Sequence, residues 1–278
     1  MEGDAMISRR SFLGGGLILS GAFALEGFVL EPKDIEVQEV LVKIKDLPPA
    51  FRGFTICQLT DIHHGPLVGL DFLERVVAKA NSLKADLAVL TGDFIDREKS
   101  YMRPAMEALS RLKARLGTLA ALGNHDNFIG RDFSARVISS HSIQLLQNSH
   151  VMIESGGDSL CIAGVRDYLE DRPEAARALN GVAPSVPRIL LSHHPDYAEF
   201  LPQDVRVDLV LSGHTHGGQV RLPFSFAPIV PSDFGQKYSG GLVRNGDTQV
   251  YVSRGVGVVL IPVRFNCPPE ITLIRLVA

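Results

Sequence analysis

The amino-acid sequence predicts an α/β fold built on a largely parallel sheet. Short runs of apolar residues alternate with segments of helical periodicity, and each run ends in side chains that can bind a metal. Runs that are apolar throughout are typical of strands whose sheet is covered on both faces. With 278 residues, 45% of them hydrophobic and 21% charged, the chain is also long enough for a large buried core.

The predicted elements follow in the order strand, ligand, helix. Residues 36–45 alternate in polarity and predict an edge strand. The five apolar runs that come next cover residues 54–59, 87–90, 119–122, 189–191 and 209–211. Helical patterns cover residues 70–84, 102–115 and 133–140. Because ligands collect beyond the carboxyl ends of parallel strands, we expect the five runs to converge on one edge.

Shorter β-like runs within residues 143–163 and 247–278 predict a second sheet packed on the first. No repeat of fixed period and no low-complexity linker divides the chain. We therefore expect one two-sheet domain over residues 25–278, with helices on its outer faces.

Composition excludes several functional classes. Lys and Arg total 28 against 31 Asp and Glu, a net charge of -3 without long runs of one sign, so no nucleic-acid partner is expected. Three scattered cysteines cannot build a disulfide framework or a thiolate zinc site. Cys57 and Cys161 lie in apolar runs and are interpreted as small buried hydrophobic residues.

The N-terminal residues 1–24 resemble a bacterial twin-arginine signal. Arg9 and Arg10 precede the uncharged, glycine-rich run 14–25. This predicts that the protein uses the twin-arginine export machinery. It would be either exported across the bacterial inner membrane or anchored to it, on the periplasmic or extracytoplasmic side. Cleavage after Ala24 and retention as an anchor both remain open, and the alternative to a signal is an amphipathic or buried first helix. Met6 is a second candidate start residue, because a start there leaves a purely basic segment before the apolar run.

Seven side chains that follow the five runs form a candidate ligand set. They are Asp61, His63, Asp93, Asn124, His193, His214 and His216. Oxygen and nitrogen ligands without a thiolate suit divalent Mn, Fe, Zn or Co. Seven side chains are about the number needed to bind two ions. Two divalent ions carry four positive charges against the two negative charges of the carboxylates, and this excess favours an anionic substrate such as a phosphate ester. Each motif is weak alone, but five in this order are a strong signal.

These motifs resemble the signature of the calcineurin-like metallophosphoesterases. The matching segments are residues 61–63, 92–96, 123–126, His193 and 213–216, and the likeness covers residues 50–277. Residues 251–257, Arg264 and residues 268–271 resemble the exported or membrane-associated bacterial branch. The resemblance implies a four-layer α-β-β-α sandwich of two mixed sheets with flanking helices.

The resemblance also implies a role for each matching residue. Asp61, His63, Asp93 and His216 would hold one ion, and Asp93, Asn124, His193 and His214 the other. A hydroxide that bridges the ions would attack phosphorus while His125, oriented by Asp126, protonates the leaving group. Related iron enzymes place a tyrosine where this chain has Asp96, so a ferric-tyrosinate site is not expected, and Asp96 is predicted to brace its loop.

Three further residues are candidates for substrate binding. His64 follows the first ligand pair, His194 follows the ligand His193, and Arg264 lies near a predicted strand. For His64 a solvated loop residue is an equal alternative, and for Arg264 the alternative is a carboxylate pair. The apolar, proline-rich segment 223–238 is predicted to clasp acyl chains, to rest on a bilayer or to cover a sheet edge.

The predicted function is a dinuclear metal-dependent phosphoesterase. The bond would be a phosphomonoester, a phosphodiester or a pyrophosphate of an envelope or lipid-linked substrate. Similar bacterial proteins include UDP-2,3-diacylglucosamine hydrolases of lipid A biosynthesis, which are the first alternative. An export signal argues against them, because nucleotide-activated sugars are cytoplasmic. The alternative of another class is a metal-binding scaffold without turnover.

Overall fold

A computed structural model describes residues 25–278, so the predicted leader 1–24 lies outside the described residues. Strands and helices are numbered here within that range. The strands are β1 (Glu36–Lys43), β2 (Thr55–Leu59), β3 (Leu87–Leu90), β4 (Thr118–Ala120), β5 (Ile143–Leu145), β6 (Ser149–Ser155), β7 (Asp158–Gly164), β8 (Arg188–Leu191), β9 (Leu209–Ser212), β10 (Gly241–Asn245), β11 (Thr248–Val252) and β12 (Glu270–Val277). The α-helices are α1 (Leu70–Ser82), α2 (Met102–Leu109), α3 (Asn124–Phe128), α4 (Arg131–Ser139) and α5 (Ala175–Ala178).

The described strands form two six-stranded sheets, both mixed. The first has the order β1-β12-β2-β3-β4-β5, and the second β10-β11-β9-β8-β7-β6. Strands β2 to β5 are parallel, as are β7, β8, β9 and β11. Antiparallel pairing occurs where β12 meets β2 and at the edges formed by β6 and β10. The prediction of an α/β fold with two mixed sheets is confirmed.

Three apolar clusters divide the fold into layers. The central cluster lies between the sheets and joins Ile56 and Val89 of the first sheet to Ile189 and Leu211 of the second. A second cluster packs α1, α2 and α4 on the outer face of the first sheet. A third places α5 against the outer face of the second sheet. The layers are therefore helix, sheet, sheet, helix, as predicted.

Helix α1 shows how local sequence sets an element. Its buried residues Phe72, Leu73, Val76, Val77 and Ala80 recur at helical spacing and face the first sheet. Each buried large apolar side chain contributes about 1.5–3 kcal/mol. The helix ends at Ser82, two residues before Lys84, which adopts a left-handed φ of 51°. This agrees with the predicted range 70–84 to within two residues.

Two expectations about the fold need correction. Helix α2 ends at Leu109, well before the predicted end at residue 115, and the N–H of Lys113 donates instead to the side chain of Asn81 at 2.7 Å. Strands β5 and β12 were expected in the second sheet but belong to the first. Strand β12 inserts there between β1 and β2, a long-range pairing that brings Glu36 opposite Glu270.

A buried polar side chain joins the two sheets below the site. The amide of Gln58 on β2 donates to Thr91 Oγ1 at 2.9 Å and to the carbonyl of Ser212 on β9 at 3.0 Å. These bonds fix the carboxyl ends of strands from both sheets next to each other. No helix within residues 25–278 is both long and apolar enough to cross a bilayer.

Candidate metal centre

The seven predicted ligands follow the carboxyl ends of β2, β3, β4, β8 and β9, with Asn124 as the first residue of α3 and the others in the connecting segments. The backbone of the first two loops runs side by side, because Asp61 N–H donates to Gly92 O and His63 N–H to Asp93 O, both at 3.0 Å. In the second sheet Gly213 N–H donates to His193 O at 3.0 Å. The five chain segments therefore converge as predicted, but they leave the strands of two sheets and not one sheet edge.

Five of these residues have a left-handed backbone, which side-chain-bearing residues rarely adopt. They are Asp61 (φ 52°), His63 (φ 47°), Asp93 (φ 55°), His214 (φ 69°) and His216 (φ 53°). Such strain persists only where the surrounding structure imposes it, and it concentrates at functional sites. Here it turns consecutive loop side chains toward one point.

The first group of ligand atoms comprises Asp61, His63 and His216. The Nε2 atoms of the two imidazoles lie 3.0 Å apart, and His216 Nε2 lies 3.4 Å from Asp61 Oδ1. The backbone N–H of His214 donates to both oxygens of Asp61 at 3.0 Å and holds that carboxylate in place. Two nitrogens and a carboxylate thus face a common space.

The second group comprises Asn124, His193 and His214. His193 Nε2 lies 3.2 Å from Asn124 Oδ1, and His214 Nδ1 lies 3.0 Å from the same oxygen. Since the Nδ1–H of His193 donates to the Thr91 carbonyl at 2.7 Å, its Nε2 carries no proton when the ring is neutral and is free to bind a cation.

Asp93 lies between the two groups. Its Oδ2 is 3.5 Å from His63 Nε2 in one group and 3.2 Å from His193 Nε2 in the other. Its Oδ1 accepts the backbone N–H of His125 at 2.9 Å. One carboxylate oxygen is therefore anchored by the backbone while the other faces both groups.

The protonation chemistry fits divalent cations. Burial lowers the pKa of His63 to about 3 and lowers the pKa values of His214 and His216 well below the ordinary value, so these imidazoles are neutral. Burial also acts to lower the pKa of His193, but the charge and hydrogen bond of Asp93 and the charges of Asp61 and Asp167 together outweigh it and raise this pKa to about 10. The Nδ1 atoms of His63 and His216 are buried without a hydrogen-bond partner in the described chain. Metal binding requires neutral imidazoles, so three of the four rings are ready to bind a cation, and His193 would release its proton when a cation binds.

His125 and Asp126, predicted as acid and orienting residue, have different environments. His125 is half-buried, its ring packs edge-on against His63 with centroids 4.6 Å apart, and one of its nitrogens lies within 4.8 Å of ligand atoms of His63 and Asp93. Asp126 is fully buried and accepts backbone N–H groups of Asp93 (2.8 Å), Phe94 (2.9 Å) and Gly123 (2.9 Å). Burial and the neighbouring charge of Asp93 raise the pKa of Asp126 to about 8.

The predicted orientation of His125 by Asp126 is corrected by this geometry. The three backbone N–H groups occupy the oxygens of the Asp126 carboxylate. Asp126 therefore holds the loop after β3 against the start of α3. The residue that contacts the His125 ring is Asp96: its backbone carbonyl accepts the Nδ1–H, and its Oδ1 lies 3.6 Å from the same nitrogen. The role that the resemblance implied for Asp126 is not seen, because Asp126 points back along its own helix.

Two of the three predicted substrate-binding residues are corrected as well. Arg264 is completely buried, and its nitrogens donate to the carbonyls of Gly257, Cys267, Arg254 and Gly255 at 3.1, 2.8, 2.9 and 3.1 Å. With its donors occupied by backbone, it cannot reach a substrate phosphate. His64 is the second corrected residue, because it is also buried.

His64 and His194 both pack against other side chains. His64 donates from Nδ1 to the Val68 carbonyl at 2.8 Å and contacts the Tyr101 ring, which indicates a structural role. His194 is buried with its ring 4.1 Å from that of His214, so it supports a candidate ligand from behind.

Two glycines permit the close approach of the loops. Gly92 has φ +94°, and a Cβ there would lie 2.9 Å from His193 Nδ1. Gly255 has φ +69°, and a Cβ there would lie 2.6 Å from Asp61 Cβ.

A cavity of about 610 Å³ opens at the ligand cluster. One end is polar and includes His63, Asn124, His125 and His214. The rest of its wall is apolar, formed by Val220, Pro228, Ile229, Val259, Leu260, Ile261 and Val263. A larger cavity of about 1000 Å³ opens among residues 43–52, 198–208 and 244–249, and none of the candidate ligands lines it. The chemistry therefore belongs to the smaller cavity.

Comparison with known proteins agrees with this site. The family model described as calcineurin-like phosphoesterase matches residues 54–218, which contain all seven candidate ligands. An uncharacterised metallophosphoesterase of Bacillus subtilis, YkuE, is 35% identical over 97% of this chain and 98% of its own length. The phosphodiesterase YaeI of Escherichia coli is 32% identical over 98% of this chain and 100% of its own length.

A solved structure supports the fold alone. The NAD nucleotidase NadN of Haemophilus influenzae superimposes with a TM-score of 0.51 at 16% identity over 73% of this chain, which spans 50% of that protein's length. The family match and the two relatives show that the chain belongs to the calcineurin-like metallophosphoesterases and is a hydrolase of phosphoric esters.

Proposed function

We propose that the chain is a dinuclear phosphoesterase in which Asp93 bridges two divalent ions. The observation that carries this proposal is the position of Asp93 Oδ2, which faces an imidazole nitrogen of each ligand group at 3.5 and 3.2 Å. Asp61, His63 and His216 would complete one site, and Asn124, His193 and His214 the other. The oxygen and nitrogen ligands admit Mn, Fe, Zn or Co.

When bound, the ions would supply acidification of the attacking water and charge stabilisation for the phosphoryl oxygens. The chain supplies the rest. A carbonyl only accepts, so the bond to Asp96 O places a proton on His125 Nδ1 and leaves Nε2 as the other ring nitrogen. In the imidazolium form Nε2–H is the donor that would protonate the leaving oxygen. His125 lines the cavity, so this nitrogen is within reach of a bound substrate.

The apolar wall of the cavity supports an envelope or lipid-linked substrate. A compact polar phosphate ester would leave Ile229, Leu260 and Val263 facing water, whereas an acyl or polyprenyl chain beside the phosphate would cover them. The name of the Escherichia coli relative, a phosphodiesterase, favours a diester among the three candidate bonds. UDP-2,3-diacylglucosamine is the alternative amphiphile of this kind.

Export by the twin-arginine machinery is part of the proposal. The motif around Arg9 and Arg10, with the uncharged run 14–25, supports an extracytoplasmic location and membrane association. The N-terminus and membrane partitioning of the protein in its own host would test both.

Elemental analysis of purified protein, combined with hydrolysis of bis(p-nitrophenyl) phosphate with and without Mn²⁺, tests the catalytic proposal. Two ions per chain and metal-dependent hydrolysis are expected. Bound ions without hydrolysis of any phosphate ester would instead support the non-catalytic scaffold.

A further inference from the structure

Exposed apolar side chains concentrate beside the cavity. Residues 25–30, 224–229 and 260–261, called here the apolar rim, hold nine of the twenty large hydrophobic side chains that the described chain exposes. Glu26 is the only charged residue in these three segments. Apolar patches this concentrated, next to a reaction site, indicate a surface that binds something.

The three segments are held together by hydrogen bonds. Arg264 N–H donates to the carbonyl of Gly27 at 2.9 Å, which joins the first segment to the loop that follows the third. The side chain of Gln219 accepts from Val259 N–H at 2.8 Å and donates to the Val259 carbonyl at 3.1 Å, which ties the residue before the third segment to the chain that leads into the second. These bonds hold the three segments in the same part of the domain.

The tip of the second segment projects fully. Phe224 is completely exposed, and both it and Ser225 have left-handed backbones, with φ values of 65° and 59°. A folded protein partner would need a matching pocket for such a ring, whereas a lipid interface accepts a projecting apolar side chain of any shape.

The adjoining sequence has the same character. The described chain begins at Leu25 within the rim, and the preceding run 14–25 carries no charge. Ile229, Leu260 and Ile261 belong both to the rim and to the cavity wall, so the rim borders the mouth of the cavity.

We propose that the apolar rim inserts into the surface of a lipid bilayer, with the cavity opening at the level of the lipid headgroups. The inference rests on the proposed function insofar as this cavity is where the phosphate ester reacts. An amphiphilic substrate would then pass along the apolar wall to the ligand cluster while its hydrocarbon stays in the membrane.

The absence of tryptophan from the sequence permits a site-specific test. Phe224→Trp in the full-length chain places one fluorophore on the rim, and Leu41→Trp, on the exposed face of strand β1, is the matched control. Each variant is mixed with equimolar phosphatidylethanolamine and phosphatidylglycerol vesicles whose acyl chains are brominated. We expect the Phe224→Trp emission to shift to shorter wavelength and to be quenched, and the control emission to stay unchanged.

Because the readout is local, binding through residues 1–24 alone would leave the fluorophore at position 224 unquenched and overturn the inference. Equal quenching of both variants, or a shift that depends on protein concentration without vesicles, would overturn it too, the latter in favour of a second copy of the chain. Hydrolysis of bis(p-nitrophenyl) phosphate with Mn²⁺ is measured on the same samples. Hydrolysis without quenching would overturn the membrane docking but not the proposed function. Quenching without hydrolysis would overturn the proposed function but not the docking.

Discussion

The backbone carbonyl of Asp96 accepts the Nδ1–H of His125, and the carboxylate of the same aspartate lies 3.6 Å from that nitrogen. One residue therefore contacts the candidate acid through both its main chain and its side chain. The carbonyl contact directs the other ring nitrogen, Nε2, away from the loop. A substitution of the Asp96 side chain leaves this contact in place, so the role of the carboxylate can be tested by itself.

Asp96→Asn should retain its metal ions and lose less activity than a variant without His125, because the carbonyl contact survives. On alkyl phosphodiesters we expect kcat to fall by less than about 100-fold, which is the smallest loss typical of removing a general acid. The ratio of alkyl to activated aryl turnover should fall, as it would for any weakened proton donor. An equal loss on both substrates would show that Asp96 only stabilises the fold.

His125→Ala should keep both ions yet lose about two to four orders of magnitude in kcat on alkyl esters. The loss should shrink with p-nitrophenyl esters, whose leaving group needs little protonation. Metal content by elemental analysis and kcat on the two ester types check this. Unchanged turnover of alkyl esters would remove His125 from the mechanism.

Asp93→Asn should lower metal occupancy and abolish turnover together, because one anionic oxygen faces both ligand groups. Asp71→Asn is the matched control, since Asp71 is an exposed carboxylate in the first turn of α1. Elemental analysis and hydrolysis of bis(p-nitrophenyl) phosphate compare the two variants. Full occupancy in Asp93→Asn would contradict the bridging role.

Gly255→Ala should destabilise the protein and reduce its metal content, because the new Cβ would lie 2.6 Å from Asp61 Cβ. Gly117→Ala is the control: its φ of +83° is also left-handed, but a Cβ there meets nothing within 4 Å. The control should cost about 1–2 kcal/mol from backbone strain alone. Unfolding by denaturant should therefore show a larger loss for Gly255→Ala, and equal losses would mean that the contact with Asp61 relaxes freely.

The cysteines should resist thiol reagents in the folded protein. All three are free and buried, and burial raises the pKa of Cys57 to about 12 and that of Cys161 to about 11. A disulfide reagent at mildly alkaline pH should label almost no thiol before unfolding and all three afterwards. Rapid labelling of Cys57 or Cys161 without denaturant would contradict their assignment as buried structural residues.

The sequence predicted those features of the fold and site that depend on a short segment of the chain. Strands β2 and β3 are apolar throughout, and each ends at a ligand, so both the element and its chemistry are local. The place of β12 between β1 and β2 could not be read in this way, because pairing between the two ends of the chain has no local signal.

Side-chain direction limited the prediction of the site. Asp126 neighbours His125 in sequence but turns back to bind three backbone amides, whereas Asp96 reaches the ring from another loop. Arg264 was a candidate for a substrate phosphate, with a carboxylate pair as the alternative, yet five carbonyls in the loops around it accept its buried donors. Such burial depends on tertiary packing.

Anomalous diffraction from crystals of the protein loaded with Mn²⁺ tests the central claim most directly. We predict two anomalous peaks per chain, with one carboxylate oxygen of Asp93 coordinating both, Asp61, His63 and His216 at one, and Asn124, His193 and His214 at the other. A single peak, or two peaks of which only one contacts Asp93, would contradict the account.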